Sequence, residues 1–131
     1  LTKVHPSLEK HGHEFVTQLK DFGIAVENTI MKYGKNIIGN ELVQLRIANM
    51  SMELYAQICV LSRTTSILNK AEVSAEEKEY VKNLTDFICK NSRQVFKANL
   101  KSLGSSSDSL IPKISKVVSK NEGFGFDIVD F

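Results

Sequence analysis

The stretch LYAQICVLSR, Leu54 to Arg63, constrains this chain more than any other. From Leu54 to Leu61 it holds a single polar side chain, Gln57. A helix on the surface of a small protein carries a polar face over two turns, and this one has almost none. Its cover has to come from the rest of the chain or from another protein surface.

The rest of the chain is also helical in pattern, with no convincing strand pair and no internal repeat. A first helix is expected over 6–33. Pro6 opens it, at a position where the missing N–H is harmless. Leu8, Phe15, Leu19, Phe22, Val26, Ile30 and Tyr33 then recur at helical spacing, and Gly34 supplies a stop. A second is expected over 40–68, with Asn40 as N-cap and Glu41 at the positive end of the dipole. Leu42, Leu45, Ala48, Met52, Tyr55 and Cys59 form one of its apolar stripes. A third is expected over 75–103, opened by SAEE, Ser74 to Glu77, a capping box. GSSSDS, from Gly104, follows as a flexible polar linker. A fourth, short helix covers 109–120, with Pro112 tolerated in its first turn and Ile111, Ile114, Val117 and Val118 as its apolar residues. An extended aromatic tail occupies 122–131.

Short connections between long helices favour antiparallel neighbours. The fold class is therefore all-α, an antiparallel four-helix bundle over residues 1–121 with an extended C-terminal tail. The second helix is central, covered in part by the first, third and fourth, with leftover apolar surface for another domain or chain. Chain length suits one domain.

Charge excludes little but points nowhere: 17 basic against 15 acidic residues give a net +2, with lysines scattered. No nucleic-acid partner is indicated. Cys59 and Cys89 fit no metal spacing and are too few for a disulfide scaffold, so both are expected as reduced core thiols. HEFVT, His13 to Thr17, has Thr17 where a zinc motif needs histidine, and His11 and His13 read as surface histidines. GFGFDI, Gly123 to Ile128, has Ile128 in place of the third glycine and opens no helix. The sequons at Asn49 and Asn83 fall inside helices. No catalytic, cofactor-binding or metal residue is assigned. Arg46 and Arg63 lie in or beside the most apolar helix. They read either as structural arginines, snorkelling or ion-paired, or as salt-bridge partners of another domain.

Four features together resemble a known family: HPSL at His5 to Leu8, the Asn40–Glu41 helix start, the Leu54–Tyr55 pair, and VLSR at Val60 to Arg63. In this order and spacing, over residues 4–68, they resemble the C-terminal extra helical domain of the mitochondrial very-long-chain acyl-CoA dehydrogenase / acyl-CoA dehydrogenase family member 9 branch. The resemblance implies a parent flavoenzyme of fatty-acid β-oxidation whose catalytic part holds FAD and a glutamate base. It implies that the extra domain is a degenerate, non-catalytic copy of the dehydrogenase bundle, packed over that catalytic part in a homodimer. No YEG-type flavin motif occurs in this chain, so FAD is expected in the parent and no cofactor in this fragment.

The implied role is dimer architecture and association with the inner mitochondrial membrane, on the matrix side. The alternatives are a docking module for complex I assembly proteins and an unrelated helical adaptor. The contact candidates are Arg46, Arg63, Phe124, Phe126 and Phe131. The lysines of the third helix, interleaved with acids, read as a solvated face rather than a membrane-binding one.

Overall fold

A computed structural model describes residues 3–104 and 106–123 of the chain. Four helices follow one another: α1 (Glu9–Tyr33), α2 (Glu41–Leu68), α3 (Ala75–Leu103) and α4 (Leu110–Lys120). No strand occurs among the described residues. The all-α four-helix reading is met. The expected tail at Phe124 to Phe131 lies outside the described residues.

The helix ends follow from local chemistry. His5 caps a short 3-10 turn, Pro6–Leu8, by accepting the Ser7 N–H on Nδ1, and α1 proper begins only at Glu9. Gly34 closes α1 at a φ of 50°, a backbone region that favours glycine. Asn40 accepts the Val43 N–H and Ser74 accepts the Glu77 N–H, satisfying donors that a helix start leaves free.

Three helices build the core, and polar pairs set their register. Between α2 and α3, the Asn49 amide donates to Asn99, Gln57 donates to Ser92, and the Thr64 and Thr85 hydroxyls meet at 2.6 Å. Numbers rise along α2 as they fall along α3, so the two are antiparallel over about four turns. Gln57 also donates to Gln18 of α1 at 3.0 Å, and Gln18 donates to the Arg93 carbonyl of α3. Gln57 is fully buried, at 0% exposure, and its Oε1 has no partner among the described residues. Ser92 passes the chain on by donating to the Glu53 carbonyl. Above and below this layer pack Phe15, Met50, Leu54, Leu61 and Phe96.

The α1 core line differs from the apolar stripe read in the sequence. Phe15, Gln18, Ala25 and Thr29 are buried, while Leu19 and Ile30 are about half exposed. Gln18 turns inward because Gln57 and the Arg93 carbonyl meet its amide, and Thr29 because its hydroxyl donates to the Ala25 carbonyl. That rotates the outward face onto Leu19 and Ile30.

Three further expectations are corrected. Cys59 is exposed and only Cys89 is a core thiol. His11 is buried, whereas His13 is exposed. The segment after Gly104 is not a free linker. Ser106–Ser109 forms a 3-10 turn whose Asp108 accepts from Arg46 Nε at 3.0 Å and Nη2 at 2.7 Å.

That pin holds α4 near the start of α2, but no α4 side chain is buried. The fourth helix therefore does not cover LYAQICVLSR. α1 and α3 cover its inner side through Leu54, Gln57 and Leu61, and leave Tyr55 71% exposed.

Replacing Gln57 with alanine removes both amide bridges and opens a cavity. It is expected to cost about 2–4 kcal/mol of unfolding free energy in a urea titration. A variant as stable as the parent would show that Gln57 does not hold the helices in register.

Candidate interaction surfaces

The densest polar cluster sits between α1 and α3. His11 Nε2 lies 3.1 Å from Asp86 Oδ1, and Arg93 Nη1 lies 3.0 Å from His11 Nδ1. Arg93 Nη2 faces a Glu14 carboxylate oxygen at 2.7 Å, a charge contact off the hydrogen-bond line. Lys90 pairs with the other Asp86 oxygen at 2.7 Å. An arginine can only donate, so His11 Nδ1 is the acceptor and its proton sits on Nε2, donated to Asp86. Burial, then the Arg93 charge, hold the His11 pKa below its ordinary 6.5 despite the pull of Asp86. Asp86 is held low, first by Lys90 and then by His11. Burial pushes the Cys89 thiol up. Every hydrogen-bonding atom of the imidazole is used inside the cluster, which ties α1 to α3.

Of the predicted contact residues, Arg46 and Arg63 are described, and they lie 17 residues, about 25 Å, apart along α2. Arg46 is half-buried and paired with Asp108 of its own chain, the ion-paired structural reading. Arg63 is exposed, beside a shallow depression lined by Ile58, Cys59, Ser62 and Ser66. Phe124, Phe126 and Phe131 lie outside the described residues. A wider open groove of about 1010 Å³ separates α4 from the end of α1 and the start of α2. Lys32, Lys35, Glu41 and Asp108 line it together with apolar Leu42 and Ile111, so it selects no single charge. No group of metal-ligating side chains assembles among the described residues.

Two outer faces were hidden in the sequence. One is the stripe Leu45, Ala48, Met52, Tyr55 and Cys59, visible as a stripe but expected inside; every member is exposed. The other is α4. Its Leu110, Ile111, Ile114 and Val117 are each about half exposed. Its three lysines, Lys113, Lys116 and Lys120, fall together on one flank at about 100° per residue. That lysine spacing was the available signal.

The match to known proteins rests on the whole bundle. The family model described as "ACAD9/ACADV, C-terminal domain" matches residues 6–124. This chain belongs to that family. The match runs on through α3 and α4, beyond the two helices in which the resemblance was legible. The very long-chain specific acyl-CoA dehydrogenase, mitochondrial, of Rattus norvegicus is 32% identical over 102 residues, 78% of this chain. The Mus musculus protein of the same name is 32% identical over 103 residues, 79% of this chain. The Bos taurus protein is 30% identical over 102 residues, 78% of this chain. In each case the aligned part is 15% of the relative's own length. No solved structure matches the chain.

Two predictions concern this ACAD9/ACADV C-terminal domain. His11 is depressed in the fold, so the unfolded chain takes up its proton first as pH falls. Stability is full above 6.5 and drops as pH falls from there toward the lower folded value, and Asp86 deepens the loss below 3.8. Thermal melts at about pH 7.5 and about pH 5.5, either side of the ordinary histidine pKa, are expected to show the drop, and His11→Gln to flatten it. The second concerns Arg46→Ala. It is expected to speed limited proteolysis between Gly104 and Leu110 while moving the melting temperature of the bundle little, because a partly exposed pair contributes about 1 kcal/mol or less. Unchanged cleavage would refute the pin.

Proposed function

We propose that this domain is the non-catalytic C-terminal part of a mitochondrial, FAD-dependent acyl-CoA dehydrogenase, where it serves the dimeric architecture and attaches the enzyme to a membrane surface through α4. Family membership supports the parent, and the relatives' names carry "very long-chain specific acyl-CoA dehydrogenase, mitochondrial". The flavin, the catalytic glutamate and the acyl-CoA belong, on this reading, to the rest of the parent protein. This chain contributes surfaces.

The observation that carries the membrane role is α4 itself. LIPKISKVVSK has no acidic residue, an apolar arc exposed at Ile111, Ile114 and Val117, and three lysines beside that arc. A helix that buries nothing in its own protein has an apolar face available to an interface, and lysines flanking it draw toward anionic headgroups. Each lysine near such a surface contributes about 1 kcal/mol, screened by salt. No helix among the described residues is long and apolar enough to cross a membrane, so the attachment is to the surface.

We read the lysines of α3 as a solvated face. Lys82 and Lys90 are paired with Glu79 and Asp86 along their own helix. A lysine with a carboxylate partner one turn away has less to gain from a lipid headgroup than the basic flank of a helix without acids, whose lysines have no carboxylate partner among the described residues.

Co-sedimentation with vesicles tests this reading. Binding is expected to phosphatidylcholine vesicles containing anionic lipid, to weaken at high salt, and to fall about thirtyfold in Lys113→Gln with Lys116→Gln. Neither lysine touches the core, so the variant's melting temperature is expected to match the parent's. Binding that ignores these substitutions, or none at low salt, would overturn the membrane role.

A further inference from the structure

The chain turns back on itself where α4 ends. The Gly123 N–H donates to the Val118 carbonyl at 3.1 Å and the Glu122 N–H to the Ser119 carbonyl at 3.5 Å, with Glu122 at a φ of 53°. This is a Schellman ending, in which a left-handed residue folds the chain against the last helical turn. Val118, which receives it, is half-buried and falls in one row with Ile111 and Ser115, at steps of four and three residues. Ile111 and Ser115 line the groove of about 1010 Å³ that separates α4 from the end of α1 and the start of α2. The chain therefore leaves Gly123 on the side of α4 that faces the groove.

What leaves there is the sequence FGFDIVDF, Phe124 to Phe131. Its charges are Asp127 and Asp130, and all its other residues but Gly125 are apolar or aromatic. From Val118 back to Ile111 is about 10 Å along the helix axis. Eight extended residues cover about 26 Å, enough to run the length of the groove and reach the end of α1. The groove matches this segment in two ways. Leu42, Leu45 and Ile111 give it an apolar wall, with Leu45 54% and Ile111 49% exposed. Its lining is mixed in charge, but Asp108 is already held by Arg46, and Glu41 sits at the positive end of the α2 dipole. Lys32 and Lys35 have no carboxylate partner among the described residues. The uncompensated charge of the groove is basic, and that of the segment is acidic.

We propose that residues 124–131 dock in this groove, running back along α4, and fasten α4 to the bundle a second time. Alternate residues of an extended segment share a face. Phe124, Phe126 and Ile128 are spaced to follow Val118, Ile111 and the Leu42–Leu45 wall, and Asp130 comes next on the same face, at the lysine end of the groove. The Arg46–Asp108 pair pins only the start of α4, whereas the docked segment holds its length. Tethering at Gly123 keeps the segment at high effective concentration beside the groove, so a modest contact area suffices. Lys113, Lys116 and Lys120 fall on the flank of α4 away from Ile111, Ser115 and Val118, and docking leaves them outside. The contact lies within one chain and needs no lipid, so it stands apart from the membrane reading.

The chain has no tryptophan, so Phe126→Trp places a single fluorescent reporter in the segment. In the folded chain its emission is expected at shorter wavelength than that of a solvent-exposed indole, at every protein concentration. Leu45→Glu, at an exposed groove position outside the core, is expected to shift that emission toward the solvent-exposed value with an unchanged melting temperature. Carbodiimide coupling of the unmodified chain is expected to join Asp127 or Asp130 to Lys32 or Lys35 within the monomer, as read by mass spectrometry of the digested band. Solvent-exposed emission from the folded reporter would overturn the proposal, as would a buried reporter indifferent to Leu45→Glu. A wavelength shift that arises only as the chain is concentrated places the segment on a second copy and overturns it as well. So does a coupling map in which neither Lys32 nor Lys35 is joined to the segment.

Discussion

One fully buried amide sets the geometry of this domain. Gln57 reaches Gln18 on one side and Ser92 on the other, so three helices share a single polar layer at mid-height. A buried amide that loses a partner is left with an unmet donor in a water-free place, and that penalty is steep and local. Apolar packing tolerates small slides between helices; this layer does not. The register it sets is repeated on either side by the Thr64–Thr85 and Asn49–Asn99 pairs and, between α1 and α3, by His11 with Asp86 and Arg93. A three-helix core is narrow, and a narrow core gains specificity from polar pairs that only one alignment satisfies.

Much of the fold was legible in the chain. Asn40, Ser74 and Gly34 marked helix ends by their own chemistry, and the structure puts them there. The fold class followed from periodicity alone. Misreadings came from assigning inside and outside by polarity. Gln18, Thr29 and His11 are polar and buried because each meets a partner supplied by another turn or another helix, and no sequence window contains that partner. Conversely, Met52 and Tyr55 are apolar or aromatic and exposed because, among the described residues, only two helices flank α2 and its outer side is left over. Where a helix carries apolar residues nearly all round, periodicity has no contrast from which to choose the buried side.

The candidate surfaces were legible in composition and not in role. The stripe from Leu45 to Cys59 stood out, but its exposure depends on α4 not lying across it. Arg46 decides that: by gripping Asp108 it brings the fourth helix toward the start of α2 and away from the middle. Long-range ion pairs of this kind leave no periodic trace. The basic flank of α4 did leave one, at Lys113, Lys116 and Lys120, yet the apolar residues beside it resemble those of any core helix until burial is known.

A helix whose side chains support nothing inside the protein is free of the constraint that governs the other three. A substitution in α1 or α3 has to preserve a partner across the core, whereas a substitution in α4 disturbs no neighbour there. Such a segment can drift quickly under selection for whatever it touches, while the frame that carries it stays recognisable. Divergence among members of this family would then concentrate at the end of the chain, one scaffold serving different addresses.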